Sequence, residues 1–135
     1  MHHFSDINWL AVAVAVIASF VIGSLWYGSL LFQKPWMQAT GMTFEKGKQA
    51  NMLVTFGGTA VLNLLIAIAI ALLAGPHAGW KMGLHTGLFS ALFFVATSLG
   101  VIGLFEQRPF KLWLINAGYQ LVVFALMGTI IGAWP

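Results

Sequence analysis

Apolar residues in this chain follow neither the two-residue period of a strand nor the one-sided stripe of a soluble helix; they run on for whole spans. The few charges divide the sequence into uncharged windows at 7–33, 49–80, 82–105 and 112–135. Each window exceeds the roughly 20 residues that cross about 30 Å of hydrocarbon at about 1.5 Å per residue. The pattern predicts an all-α membrane protein: one domain, a bundle of four transmembrane helices near 9–32, 52–74, 80–104 and 112–133. Strands are excluded because period-2 alternation is missing and an open sheet in lipid leaves its backbone unpaired.

The connections refine this frame. "PHAG" at 76–79 reads as a tight turn, which makes helices two and three antiparallel neighbours. The segment 34–51 is long enough for a short interfacial helix around 35–39. Thr43 reads as the N-cap of helix two, with Glu45 in its first turn, where a carboxylate suits the helix dipole. Pro109 fits the first turn of helix four, where its missing donor costs little.

Composition sharpens the class. Of 135 residues 60% are hydrophobic and 7% charged, and mean hydropathy is +0.91. Soluble domains carry about 25% charged residues, so a water-soluble monomer is excluded. The leader "MHHFSDIN" has no Lys or Arg, the apolar run is too long for a signal peptide, and no A-x-A-like site ends it. The first helix is therefore expected to be retained.

Charge also orients the bundle. Lys34, Lys46 and Lys48 lie in loop one and Arg108 and Lys111 in loop three, against Lys81 alone on the other side. By the positive-inside rule, loops one and three are expected in the cytoplasm and both termini outside, with dual topology disfavoured. Trp9, Trp80 and Trp134 then map to the outer interface, and Trp26, Tyr27, Trp36 and Trp113 to the inner one. Rings at these depths read as membrane anchors.

"INWLAV", "GSLWYGSLLFQKPWM", "MTFEKGK", "LFEQRPFKLWLINAGYQLV" and a terminal "GAW" are short, but their order and spacing extend over nearly the whole chain. Together they make the sequence resemble the bacterial membrane family named domain of unknown function 1761. Ser29 stands where that family's pattern is associated with a proline, which is expected to leave the end of helix one less sharply broken. The resemblance implies a small four-helix protein of the bacterial inner membrane. It supplies no activity, cofactor or catalytic residue.

Candidate chemistry has to come from the spans. On helix two Asn51, Thr55, Thr59 and Asn63 recur every fourth residue and form one polar stripe, expected to turn inward. Asn116, Tyr119 and Gln120 form a second cluster on helix four, and Ser19, Ser24 and Tyr27 a weaker one on helix one. At comparable depth these clusters can converge on a pocket open to the cytoplasm, with Tyr27 the residue of "GSLWYGSLLFQKPWM" most suited to touch a ligand. The competing interpretation is hydrogen-bond glue between helices, about 0.6–2 kcal/mol per contact.

His85 is the one readily titratable group within a span, a functional candidate by default, with a bonded structural histidine as the plainer alternative. His2, His3, His77 and His85 share the expected outer side with Asp6, so an external zinc or copper site is a weak alternative, without an HxxxH pattern or a cysteine. Gly83, Gly87 and Ala91 form a small-xxx-small ridge on helix three, and Gly128 and Gly132 another on helix four. Both suit close helix packing, within the chain or between chains.

Catalytic patterns are missing: the carboxylates Asp6, Glu45 and Glu106 lie in the tail or loops, and there is no nucleophile elbow, Walker loop or dinucleotide fingerprint. A lipid-acting enzyme using His85 and Ser90 is a remote alternative. Carboxylate-driven proton exchange lacks its intramembrane acid. The leading expectation is a non-catalytic binding or accessory protein in the bilayer, a parallel homo-oligomer or part of a larger complex, with no nucleic-acid partner. The alternative is a small transporter or channel subunit for a neutral or anionic solute.

Overall fold

The computed structural model describes residues 3–134. Among them every regular element is helical. A single 3₁₀ turn (Phe4–Asp6) precedes α1 (Trp9–Trp26); α2 (Gln33–Thr40) and α3 (Phe44–Gln49) are short, and α4 (Met52–Ala74) is long. α5 (Trp80–Ser90), a π-helical segment (Ala91–Ala96) and α6 (Thr97–Phe105) run together as one helical span, and α7 (Phe110–Ala133) follows. Four helices, α1, α4, Trp80–Phe105 and α7, are long and apolar enough to cross a membrane.

α1 starts where expected because the Asn8 side chain accepts from the amides of Leu10 and Ala11. It ends at Trp26, not at residue 32. The cause is Gly28: a Cβ there would strike the carbonyl oxygen of Ser24, so only glycine lets the chain fold back over the last turn. The Phe32 amide then donates to the Trp26 carbonyl at 3.0 Å, and the Leu31 and Gln33 amides both donate to Gly28. A sharp break therefore forms with Ser29 in place, where a less sharply broken end was expected.

The interfacial helix is longer than expected, Gln33–Thr40, and Gly41 in the left-handed conformation (φ 75°) ends it. Thr43 is an N-cap, accepting from the Lys46 amide, but it caps the separate helix α3. α4 has its own cap in Asn51, whose side chain accepts from the Val54 amide. Pro109 occupies the N-cap of α7, one position before its first turn. The 75–79 connection turns on positive φ at Gly75, His77 and Gly79.

α7 is the hub, packing against α1, α2, α4 and the third span. Val12, Ala15, Ala67, Ile70, Val123, Phe124 and Met127 make the buried core. The tightest seam joins α5 to α7. A methyl on Gly83 would collide with the Gly128 carbonyl, one on Gly87 with that of Phe124, and one on Gly132 with that of Gly79. Ala91 is fully buried. The Gly79 amide donates to the Gly132 carbonyl at 2.9 Å and pins the turn to the same seam. Both small-residue ridges are therefore used within the chain, which spacing alone left open.

The outer surface is apolar on most sides: Leu53, Leu62, Phe93, Phe94, Val101 and Leu104 are all exposed. Such a surface suits hydrocarbon and not water. Trp9 and Trp80 are half exposed at the end of the bundle that carries both termini.

Candidate functional site

Five polar or aromatic residues of the spans, Ser19, Tyr27, Asn63, Asn116 and Tyr119, gather between α1, α4 and α7, at and below the end that carries loops one and three. Deepest is Asn63, buried on α4, whose amide nitrogen donates to the Ser19 hydroxyl at 2.9 Å. Ser19 in turn donates to the Val16 carbonyl at 2.5 Å. Both partners are satisfied, so the pair costs little to bury and ties α4 to α1. Tyr119 of α7 approaches the same turn, its hydroxyl 3.5 Å from the Ser19 carbonyl. Gly23 leaves the space for it, since a Cβ there would stand 3.2 Å from the Tyr119 hydroxyl.

Nearer the loops the ties become aromatic. The Tyr27 hydroxyl donates to Asn116 Oδ1 at 2.7 Å, and its ring meets Tyr119 edge-on at 5.1 Å and Trp36 at 5.7 Å. Trp36 comes from α2, so this stack holds the interfacial helix under the bundle. The Trp26 indole donates to the Ile115 carbonyl at 2.9 Å, and the Trp113 indole to the Ala96 carbonyl at 2.8 Å. The second of these reaches the last residue of the π-helical segment. These rings at the loop end, expected as interfacial anchors, fasten helices to one another.

Several expectations for the site do not survive. Asn51 is a helix cap rather than part of an inward stripe. Thr55 is exposed and Thr59 partly so, with the Thr59 hydroxyl folded back onto the Thr55 carbonyl at 2.6 Å. The fourfold spacing was right for one face, but α4 leans on the bundle only from Asn63 onward, so the face turns outward below that residue. Gln120 is half-buried and makes no side-chain hydrogen bond among the described residues. Ser24 bonds only to the Phe20 carbonyl of its own helix.

His85 is exposed on the outer face of α5 and lies outside the polar cluster. The Ser90 hydroxyl donates to Thr86 of its own helix at 2.8 Å, and no bond joins it to His85. His2 lies outside the described residues. Among those described, no three His, Cys, Asp or Glu side chains come together in a group able to hold a metal ion, so His3, His77 and His85 do not converge on one.

What sequence reasoning missed is mainly the role of indoles and of Ser19. Trp26 and Trp113 carry a donor each, and a buried indole needs an acceptor; the signal was present, but its target is a main-chain carbonyl, which no residue type reveals. The π-helical segment left no mark that spacing could detect.

The family model described as a protein of unknown function, DUF1761, matches residues 10–132. The chain is a DUF1761 protein. No curated protein and no solved structure gives a significant match. In this DUF1761 chain the quoted "GSLWYGSLLFQKPWM" contributes Trp26, Tyr27 and Trp36 to the network, and "LFEQRPFKLWLINAGYQLV" contributes Trp113, Asn116 and Tyr119. The two segments that most mark the DUF1761 resemblance therefore meet each other in space.

Proposed function

We propose that this chain is a non-catalytic binding or accessory protein of the bacterial inner membrane. Loops one and three face the cytoplasm, and the protein acts as a parallel homo-oligomer or as one subunit of a larger membrane complex. The observation that carries the reading is the pairing of most interior polar groups, with Gln120 and the Asn116 amide nitrogen the exceptions. Asn63 is spent on Ser19, Tyr27 on Asn116, and the Trp26 and Trp113 indoles on main-chain carbonyls. Groups committed to one another fasten helices; a solute path needs them turned toward a shared space.

The outward half of α4 supports the association part. Thr55, Gly57, Gly58 and Thr59 lie there, and a Cβ on either glycine would meet nothing within 4 Å. Small and hydroxyl-bearing residues on a lipid-facing helix allow a second helix to approach closely. The orientation is supported by the five cationic side chains of loops one and three against Lys81.

Reconstitution into liposomes tests the reading. Neutral and anionic solutes are expected to cross no faster than through protein-free vesicles, and a Gly58→Cys variant is expected to cross-link to a partner chain. Solute flux that disappears in Asn63→Leu, in protein that still folds, would establish transport instead.

A further inference from the structure

A cleft of about 560 Å³ opens at the loop end between α2, the last turns of α6 and the first turns of α7. That volume lies within the roughly 300–1,000 Å³ typical of small-molecule sites. Its lining includes Arg108 and Glu106 from the connection at the loop end, the apolar Leu99, Ile102 and Leu112, and Asn116 about two turns into α7.

The charged mouth is open to an anion. The Arg108–Glu106 contact is 3.9 Å, made through Nε alone, with both side chains about half exposed. The terminal guanidinium nitrogens remain available as a fork, the geometry that grips a phosphate through two bonds. Lys111, exposed on the first turn of α7 between the lining residues Phe110 and Leu112, is a second cation beside the cleft though it does not line it. On α7 Asn116 accepts the Tyr27 proton through Oδ1, and its amide nitrogen makes no hydrogen bond among the described residues. It presents N–H donors about 10 Å along α7 from Pro109, by the rise of about 1.5 Å per residue.

An arginine fork at the mouth, an apolar wall and an amide donor further along α7 suit one molecular class. We propose that the cleft binds an anionic glycerophospholipid of the adjacent leaflet, its phosphate on Arg108, one acyl chain along the apolar wall and an ester carbonyl facing Asn116. Basic pockets between spans on the cytoplasmic side favour anionic headgroups, and Arg108 lies in a loop whose charge places it on that side. This deepens the reading of a binding protein and rests on it.

The test is native mass spectrometry of the full chain in detergent, titrated in parallel with phosphatidylglycerol, phosphatidylcholine and palmitate. One phosphatidylglycerol adduct is expected, with a preference of about fivefold over phosphatidylcholine, the effect of one cation near a lipid surface. Arg108→Gln should remove that preference. Gly103→Phe should remove the adduct by filling the cleft, because Gly103 lines it and a Cβ there meets no atom within 4 Å. Its melting temperature shows whether the fold persists. Undiminished phosphatidylglycerol adducts in folded Gly103→Phe, or an unchanged preference in Arg108→Gln, would overturn the proposal, as would palmitate binding as well as phosphatidylglycerol. Solute flux in liposomes would defeat the accessory reading and leave these lipid measurements standing.

Discussion

Asn63 of α4 and Ser19 of α1, forty-four positions apart in sequence, meet as an amide-to-hydroxyl pair of 2.9 Å in the middle of the bundle. It joins two helices whose other contacts are between apolar side chains such as Val12, Ala15, Ala67 and Ile70. Polar bonds of this kind between spans are worth about 0.6 kcal/mol on average and up to about 1.7 kcal/mol. Asn63→Leu and Ser19→Ala are each expected to destabilise the protein by about 1 kcal/mol. A double-mutant cycle, read by unfolding in mixed detergent micelles, should give a coupling within that range; zero coupling would mean that the pair forms without holding the helices.

The glycine seam should be far less tolerant. Gly83→Val brings side-chain atoms against the α7 backbone at Gly128, and no rotamer change relieves a clash at Cβ. The loss is expected to reach or exceed the roughly 1–3 kcal/mol of an overpacked core, seen as a lowered melting temperature or an aggregated fraction on size exclusion. Gly47→Ala, within α3 and away from the exposed glycines of α4, is the contrast. With open space around it, the helix propensity gained should stabilise by about 0.5–1 kcal/mol.

Tyr27 divides into a hydroxyl and a ring. Tyr27→Phe removes only the bond to Asn116 and should cost about 1 kcal/mol. Tyr27→Ala also removes the edge-on contacts to Tyr119 and Trp36, each worth about 0.5–1.5 kcal/mol, and should release α2 from the bundle. Limited proteolysis of loop one would report that release. Equal stability of the two variants would show that the ring stack contributes nothing.

Orientation has its own check. In intact cells a membrane-impermeant thiol reagent is expected to label His77→Cys and to spare Lys48→Cys until the cells are lysed. Labelling of position 48 from outside would reverse the proposed topology.

Much of this was legible in the residues, and the limits were physical. Uncharged windows longer than a bilayer's thickness fix the number of spans whatever their partners, because each apolar helix satisfies its own backbone. Caps were legible where a side chain serves its own turn, as with Asn8, and misassigned where two helices compete for one segment: Thr43 opens α3, and α4 is left to Asn51. Hydropathy continues past Trp26 and so extends the expected helix one to residue 32, while the break is made by backbone at Gly28.

Periodicity placed Thr55, Thr59 and Asn63 on one face of a helix and could not say how far that face stays against the bundle. Only packing decided that Asn63 is inside and Thr55 outside. Likewise, glycines four apart announce close approach, yet the choice between a neighbour in the same chain and one in another belongs to the fold, which set Gly83 and Gly87 on α7. The sequence by itself determined what each helix can tolerate around it, hydrocarbon, headgroup or a close backbone, because those are properties of local composition. The tertiary structure decided which groups meet, Tyr27 with Asn116, Asn63 with Ser19 and Trp113 with Ala96, because a hydrogen bond depends on two atoms brought together by the whole chain.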